Sequence, residues 1–213
     1  MSEAASPKPP TEELPDDLEL LLELSIAICR GDWDGVRRVR RAAGPSAPDR
    51  AWREAVLQVH LFAGIPRTVE ACAVLQEEGG LGAADPSEQE AGPPLARGRA
   101  LFALLYGEAA PAVESALGTA HPGLTRVVLE HAYAGVLSRP GLAPAARELL
   151  AVGCLAASDL ERQLASHARG AARLGVTTER IVEATRSGSA ALDPTRQQAL
   201  LACARRMATS PQS

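Results

Sequence analysis

Apolar residues recur along this chain with the three- to four-residue spacing of a helix. The segment from Leu18 to Arg30 shows the pattern clearly, because it ends at Gly31 and its apolar positions are Leu18, Leu21, Leu22, Leu24, Ile26 and Ile28. Alternating runs of β-branched residues, which are typical of strands, are missing. The pattern therefore predicts an all-α protein of about ten helices.

Glycine, proline and capping residues divide the rest of the chain into further helices. Ser158 and Asp159 are predicted to cap the helix that contains His167, and Gly175 to end it. The helix before it is predicted to begin at Ala143–Pro144. The other helices are predicted over 33–43, 49–63, 67–76, 95–105, 110–117, 124–137, 179–187 and 194–207. Short loops between apolar helices favour antiparallel neighbours in a compact bundle.

The breaker residues also suggest how the chain is organised. Residues 1–17 are polar, acidic and proline-rich, and they predict a flexible tail. Residues 81–94 carry too many glycines and prolines for a helix and are predicted to link two helical halves, 18–80 and 95–213.

Composition and charge exclude several classes of partner. The net charge is −4, and acidic and basic residues are mixed, so no basic stripe is available for nucleic acid or for an anionic membrane surface. The N-terminus lacks the apolar segment of a secretory signal. The longest apolar runs are expected to be too short to cross a bilayer. A protein of the cytoplasm is expected.

The cysteines and histidines give no metal or cofactor motif. The four cysteines, at positions 29, 72, 154 and 203, lie far apart within apolar helical patterns, which is typical of buried thiols in a reducing compartment. His60, His121 and His131 are interpreted as packing or surface residues. Neither a bound metal nor a cofactor is expected.

The best candidate chemistry is a carboxylate near the start of one helix and an imidazole inside the next. Glu148 and His167 are separated by the Ser-Asp break, so a helical hairpin could bring them side by side. Such a pair is suited to proton transfer. Structural roles remain open, because Glu148 also suits a helix N-terminus and His167 could bond to core groups.

Three segments resemble the carboxymuconolactone decarboxylase and alkyl hydroperoxidase D superfamily. The first is the core that runs from Arg147-Glu148-Leu149 through His167 to Glu183, and it includes the run from Ser166 to Ala171 and the Leu174-Gly175-Val176 turn. The second is the stretch from Leu57 to Pro66, which ends in the corner Leu61-Phe62-Ala63-Gly64-Ile65-Pro66, and the third is Leu137-Ser138-Arg139-Pro140-Gly141-Leu142, which resembles the lead-in to the core. The resemblance implies a multi-helix bundle of the alkyl hydroperoxidase D-like type. Because the corner precedes the core here, it also implies either a circular permutation or two repeats.

The hydroperoxidase relatives carry two cysteines seven and four residues before the histidine, where this chain has Leu160 and Gln163. Without a thiolate, peroxidase chemistry has no nucleophile at this site. The resemblance therefore points to the decarboxylase-like branch, which acts on a lactone carboxylic acid without a cofactor. It implies that His167 donates or relays the proton and that Glu148 orients or charges it.

A substrate carboxylate also needs a cation, and Arg139 is predicted for this role ahead of Arg162 and Arg169. The resemblance also implies the partners, which are a small-molecule substrate and further copies of the chain, since relatives assemble as symmetric rings such as a trimer or hexamer. Two alternatives remain open: a non-catalytic module for oligomerisation or small-ligand binding, and a thiol peroxidase relative that has lost its cysteine pair.

Overall fold

The computed structural model describes residues 14–44, 49–84, 86–89 and 94–210, and this part of the chain is helical without a strand. The helices are α1 (Leu18–Arg30), α2 (Trp33–Ala43), α3 (Arg50–Ala63), α4 (Ile65–Glu77), α5 (Pro94–Tyr106), α6 (Ala110–Ala120), α7 (124–137), α8 (Pro144–Ala157), α9 (Glu161–Arg173), α10 (Thr178–Ser189) and α11 (Pro194–Thr209). Short 3-10 helices cover Pro86–Gln89 and Gly107–Ala109. The predicted all-α multi-helix bundle is confirmed.

Capping side chains explain where several helices begin. Asp32, Asp49, Thr177 and Asp193 each accept a hydrogen bond from a backbone N–H in the first turn of the helix that follows. The prediction that Ser158 or Asp159 caps α9 is wrong, since its N-cap is Leu160, without a side-chain bond. Asp159 instead takes a left-handed backbone conformation, and its carboxylate binds Arg196.

The main hydrophobic core is shared by the two predicted halves of the chain. Buried residues of α1 to α4, such as Leu21 and Trp52, form one cluster with buried residues of α8 to α11, such as Leu150 and Leu200. A smaller cluster around Phe102 and Tyr133 joins α5 to α7. The predicted linker is described only in part, and the predicted tail lies outside the described residues up to residue 13.

Two glycines let α1 and α10 approach α8 closely. A methyl group added at Gly153 of α8 would lie 2.5 Å from Leu22 Cδ1 of α1. One added at Gly188 of α10 would lie 2.2 Å from the Gly153 carbonyl oxygen. Helix α8 is therefore packed tightly on both sides, and its residues 146–156 are all buried.

A buried polar network joins α3 to α8 and to the loop before α8. Arg147 donates to Glu54 at 2.8 Å and to Gln58 at 3.2 Å, and Gln58 donates to the Arg147 carbonyl at 2.8 Å. Arg139 donates to both oxygens of Glu54. Two guanidinium groups thus stabilise one buried carboxylate and lower the pKa of Glu54 despite its burial, which alone would raise it.

Helices α5, α6 and α7 form a more exposed layer. After one α-helical turn, Leu124–Arg126, helix α7 continues as a π-helix, Val127–Leu137. The stretch Leu95–Ala120 is long and apolar enough to cross a membrane by length and composition, and 17% of its most apolar window is buried. The sequence analysis expected every apolar run to be too short to cross a bilayer, and this stretch is an exception. One such stretch does not establish a membrane span.

We predict that Gly188→Ala lowers the free energy of unfolding by about 1–3 kcal/mol, because the new methyl group must push α10 away from the α8 backbone. Gly118→Ala on α6 is the matched control. Its methyl group would meet Thr125 Oγ1 at 3.4 Å, and helix propensity favours alanine, so it should leave stability equal or raise it by up to about 1 kcal/mol. Urea denaturation measures both variants, and equal losses of stability would contradict the packing argument.

Candidate functional site

The hairpin of α8 and α9 brings Glu148 and His167 together. Glu148 lies in the second turn of α8 and is buried, and His167 lies in the middle of α9. His167 Nδ1 and Glu148 Oε2 are 3.0 Å apart, which is a hydrogen-bond distance. Their side chains are 15% and 3% exposed, so the carboxylate lies inside the bundle and the ring lies nearer its surface.

The carboxylate changes the protonation of the ring. Burial would lower the pKa of His167, but the negative charge of Glu148 and its hydrogen bond outweigh burial, so the pKa of His167 is raised above its ordinary value. Because Nδ1 is bound to Glu148, Nε2 is the ring nitrogen left for another partner. The arrangement therefore favours the protonated ring and presents its proton at a fixed position.

Two neighbours fix the shape of this pair. Gly170 packs directly on the carboxylate, since a methyl group there would lie 2.7 Å from Glu148 Oε2 and 3.1 Å from Leu105 Cδ2. The ring of Phe62 meets the His167 ring edge to face, with centroids 5.8 Å apart. The Gly170 position therefore has to be small for α9 to approach Glu148.

His167 opens on a cavity of about 610 Å³. This volume is in the range of small-molecule binding sites. Glu148 lies behind the histidine rather than in the cavity wall. The wall is mostly apolar and is formed by α3, by α5 to α9 and by Leu160, which precedes α9. Its other apolar and aromatic members are Leu61, Phe62, Tyr106, Val113, Leu117, Val127, Val128, Ala132, Tyr133, Leu137 and Leu155. Its polar members are His131, Arg162, Gln163, Ser166 and His167.

The arginine in this cavity is Arg162, and the prediction of Arg139 is not supported by its position. Arg139 binds Glu54 and the Glu88 carbonyl and lies in the wall of another cavity. Arg169 is directed to the sulfur of Met207. Arg162 is exposed at the cavity and has no ion-pair partner among the residues described.

The structure adds side chains that the sequence did not single out. Tyr133 is buried in the wall, and the pKa of its hydroxyl is raised by burial first and then by Tyr106 and Glu148. His60 and His131, predicted to be packing or surface residues, face each other with their Nε2 atoms 2.8 Å apart. His60 Nδ1 also bonds to the Leu57 carbonyl, so in the neutral pair His131 donates to His60.

The positions of the cysteines agree with the absence of a thiol pair at this histidine. Leu160 and Gln163 occupy the cavity wall where the hydroperoxidase pattern would place its two cysteines. Cys29 and Cys154 are buried, Cys72 is exposed on α4, and none of these lines the cavity. Within the described part of the chain, no group of three or more His, Cys, Asp or Glu residues could hold a metal ion.

Residues 122–206 match the sequence model of the carboxymuconolactone decarboxylase family. The match covers less than half of the chain, and we refer to this matched region as the family domain. The resemblance inferred from the sequence motifs is confirmed. Among curated proteins, the search found no match to the chain.

The family domain extends from the turn before α7 into α11 and supplies Glu148, Arg162 and His167. The cavity, however, is completed by residues outside it. Leu61 and Phe62 come from α3, and Tyr106, Val113 and Leu117 come from the layer of α5 and α6. The N-terminal part of the chain therefore forms part of the wall of the His167 cavity, outside the matched region.

We predict that Gly170→Ala displaces the Glu148 carboxylate and breaks its bond to His167, because the methyl group has no room beside Oε2. The expected result in an NMR spectrum of the histidine side chains is loss of the Nδ1 hydrogen-bonded signal of His167. Gly135→Ala on α7, where the methyl group would meet the Glu130 carbonyl at 3.3 Å, is the control. An unchanged His167 signal in Gly170→Ala would show that a methyl group fits beside the Glu148 carboxylate, which would contradict the packing argument.

Proposed function

We propose that the protein is a cofactor-free carboxy-lyase that acts on a small cyclic carboxylic acid, such as a lactone acid, in the His167 cavity. The observation that supports the proposal is a histidine held by a buried carboxylate at the wall of a cavity that also contains an arginine. The family domain supports the same class of protein in general terms.

In this proposal, His167 is the acid. Loss of CO₂ breaks the bond between the carboxylate carbon and the ring carbon and leaves the electron pair on the substrate. His167 Nε2–H then protonates that carbon, and the neutral imidazole recovers its proton from water. Glu148 stabilises the protonated ring, which keeps the acid available up to a higher pH than in an ordinary histidine.

The substrate carboxylate would bind Arg162, which lies five residues before His167 on α9. A guanidinium group binds a carboxylate through two parallel hydrogen bonds, so it can orient the bond that breaks. Ser166 and Gln163 supply further hydrogen-bonding groups for the ring oxygens of a lactone. The apolar remainder of the wall favours a neutral organic ring over a highly charged ligand.

The second candidate is a module that binds a small ligand or assembles with further copies without catalysing a reaction. The exposed apolar surface of α5 to α7 favours the role in assembly. Leu95, Leu104 and Val127 are large apolar side chains that remain exposed in the single chain. A surface of this kind suits contact between copies. We therefore include a homo-oligomer in the proposal.

We predict that His167→Gln lowers kcat for decarboxylation of carboxymuconolactone by about 10²–10⁴-fold, because the proton donor is removed. Arg162→Gln should mainly raise KM. His121→Asn is the control, since His121 lies exposed in the turn before α7 and should leave both constants unchanged. Spectrophotometric rate measurements at several substrate concentrations provide kcat and KM.

The pH dependence follows from the raised pKa of His167. Only the protonated ring can donate, so kcat/KM should be high at low pH and fall as pH rises through a value above 6.5. Tight binding without turnover would instead identify a ligand-binding module. A wild-type rate that His167→Gln leaves unchanged would remove this histidine from the mechanism.

A further inference from the structure

A second cavity of about 540 Å³ lies beside the loop between α7 and α8. Its wall contains two arginines, Arg97 from α5 and Arg139 from the loop, and apolar residues such as Leu142 and Pro144. It shares no lining residue with the His167 cavity. The proposed lyase reaction makes no use of it.

Both arginines have N–H groups without an acceptor among the described residues. Arg139 uses Nε and Nη2 to bind Glu54 and the Glu88 carbonyl, which leaves Nη1 unused. Arg97 donates from Nε to Ser138 Oγ at 3.2 Å, which leaves both of its terminal nitrogens unused. Each guanidinium group can therefore bind an oxyanion without giving up its present partner.

Two further arginines, Arg147 and Arg50, lie next to the loop that lines this cavity. Arg139 and Arg147 share the single carboxylate of Glu54. Arg50 packs over Gly141 of the cavity wall, since a methyl group at Gly141 would lie 2.5 Å from Arg50 Nε. This Nε is buried and has no hydrogen-bond partner in the described part of the chain.

Arg139 and Arg50 repel the guanidinium of Arg147, although its attraction to Glu54 is the larger effect. The pKa of its guanidinium is lowered, first by burial and also by the positive charges of Arg139 and Arg50. An anion nearby would offset this repulsion. Helix α8 adds to the positive field, because it begins at this cavity and its N-cap, Ala143, provides no side-chain acceptor.

We propose that this cavity binds the carboxylate of a small organic acid, with Arg97 and Arg139 on the carboxylate and the apolar wall on the organic group. An organic carboxylate fits better than inorganic phosphate, because the lining offers apolar contacts for an organic group at Leu142, Pro140 and Pro144. The site is independent of the proposed reaction at His167, and either proposal can fail alone.

The test is an NMR titration of the ¹⁵N-labelled full chain with benzoate, with inorganic phosphate and neutral benzamide in parallel. Benzoate should shift the backbone amides of Gly141 and Ala145 in a saturable way. Arg97→Gln should weaken this binding about tenfold, because a charge-assisted hydrogen bond is lost. Arg97 is exposed, so the variant should fold.

Arg99→Gln is the matched control, since Arg99 lies on the same helix, is exposed, and pairs with Glu114 rather than lining the cavity. It should bind benzoate as the wild type does. The proposal is overturned if benzoate leaves these amides unchanged, if Arg97→Gln and Arg99→Gln behave alike, or if benzamide binds equally well. Tighter binding of phosphate than of benzoate would overturn the assignment to a carboxylate.

Discussion

The hydrogen bond between Glu148 and His167 is the interaction on which the account of this protein depends. A carboxylate that is almost fully buried is costly unless another group compensates its charge, and the His167 ring is the group that does so here. The same bond orients the ring towards the cavity. Both the stability of the buried carboxylate and the proposed chemistry therefore require the α8–α9 hairpin to hold Glu148 and His167 in contact.

The rest of the fold keeps this hairpin in place and closes the cavity around it. Gly153 and Gly188 let α1 and α10 pack tightly on α8, and Gly170 lets α9 approach Glu148. The buried pair of Glu54 and Arg147 fixes α3 against α8. Helix α3 also carries Phe62, which contacts the His167 ring and lies outside the family domain. The N-terminal helices therefore supply part of the site.

Local signals in the sequence predicted most of the helices and the Glu148–His167 pair. Caps, breakers and apolar spacing act within a few residues, so they can be recognised without knowledge of the tertiary structure.

Arg139 shows what these local signals could not predict. Its partner Glu54 is 85 positions away, so nothing nearby in the sequence revealed that its guanidinium was already bound. The same limit applies to Tyr133, whose burial depends on how α5 packs on α7, and to the contact of His60 with His131, which depends on how α3 packs on α7. Short apolar spacing also could not distinguish the π-helix of α7 from an α-helix.

The most direct measurement is an NMR titration of the His167 ring nitrogens with pH, in the wild type and in Glu148→Gln. The account predicts that the wild-type ring titrates above 6.5, with Nδ1 hydrogen-bonded. Without the carboxylate, burial should dominate, and the midpoint should fall below the wild-type value. An identical midpoint in the two proteins would contradict the claim that Glu148 controls the charge of this histidine.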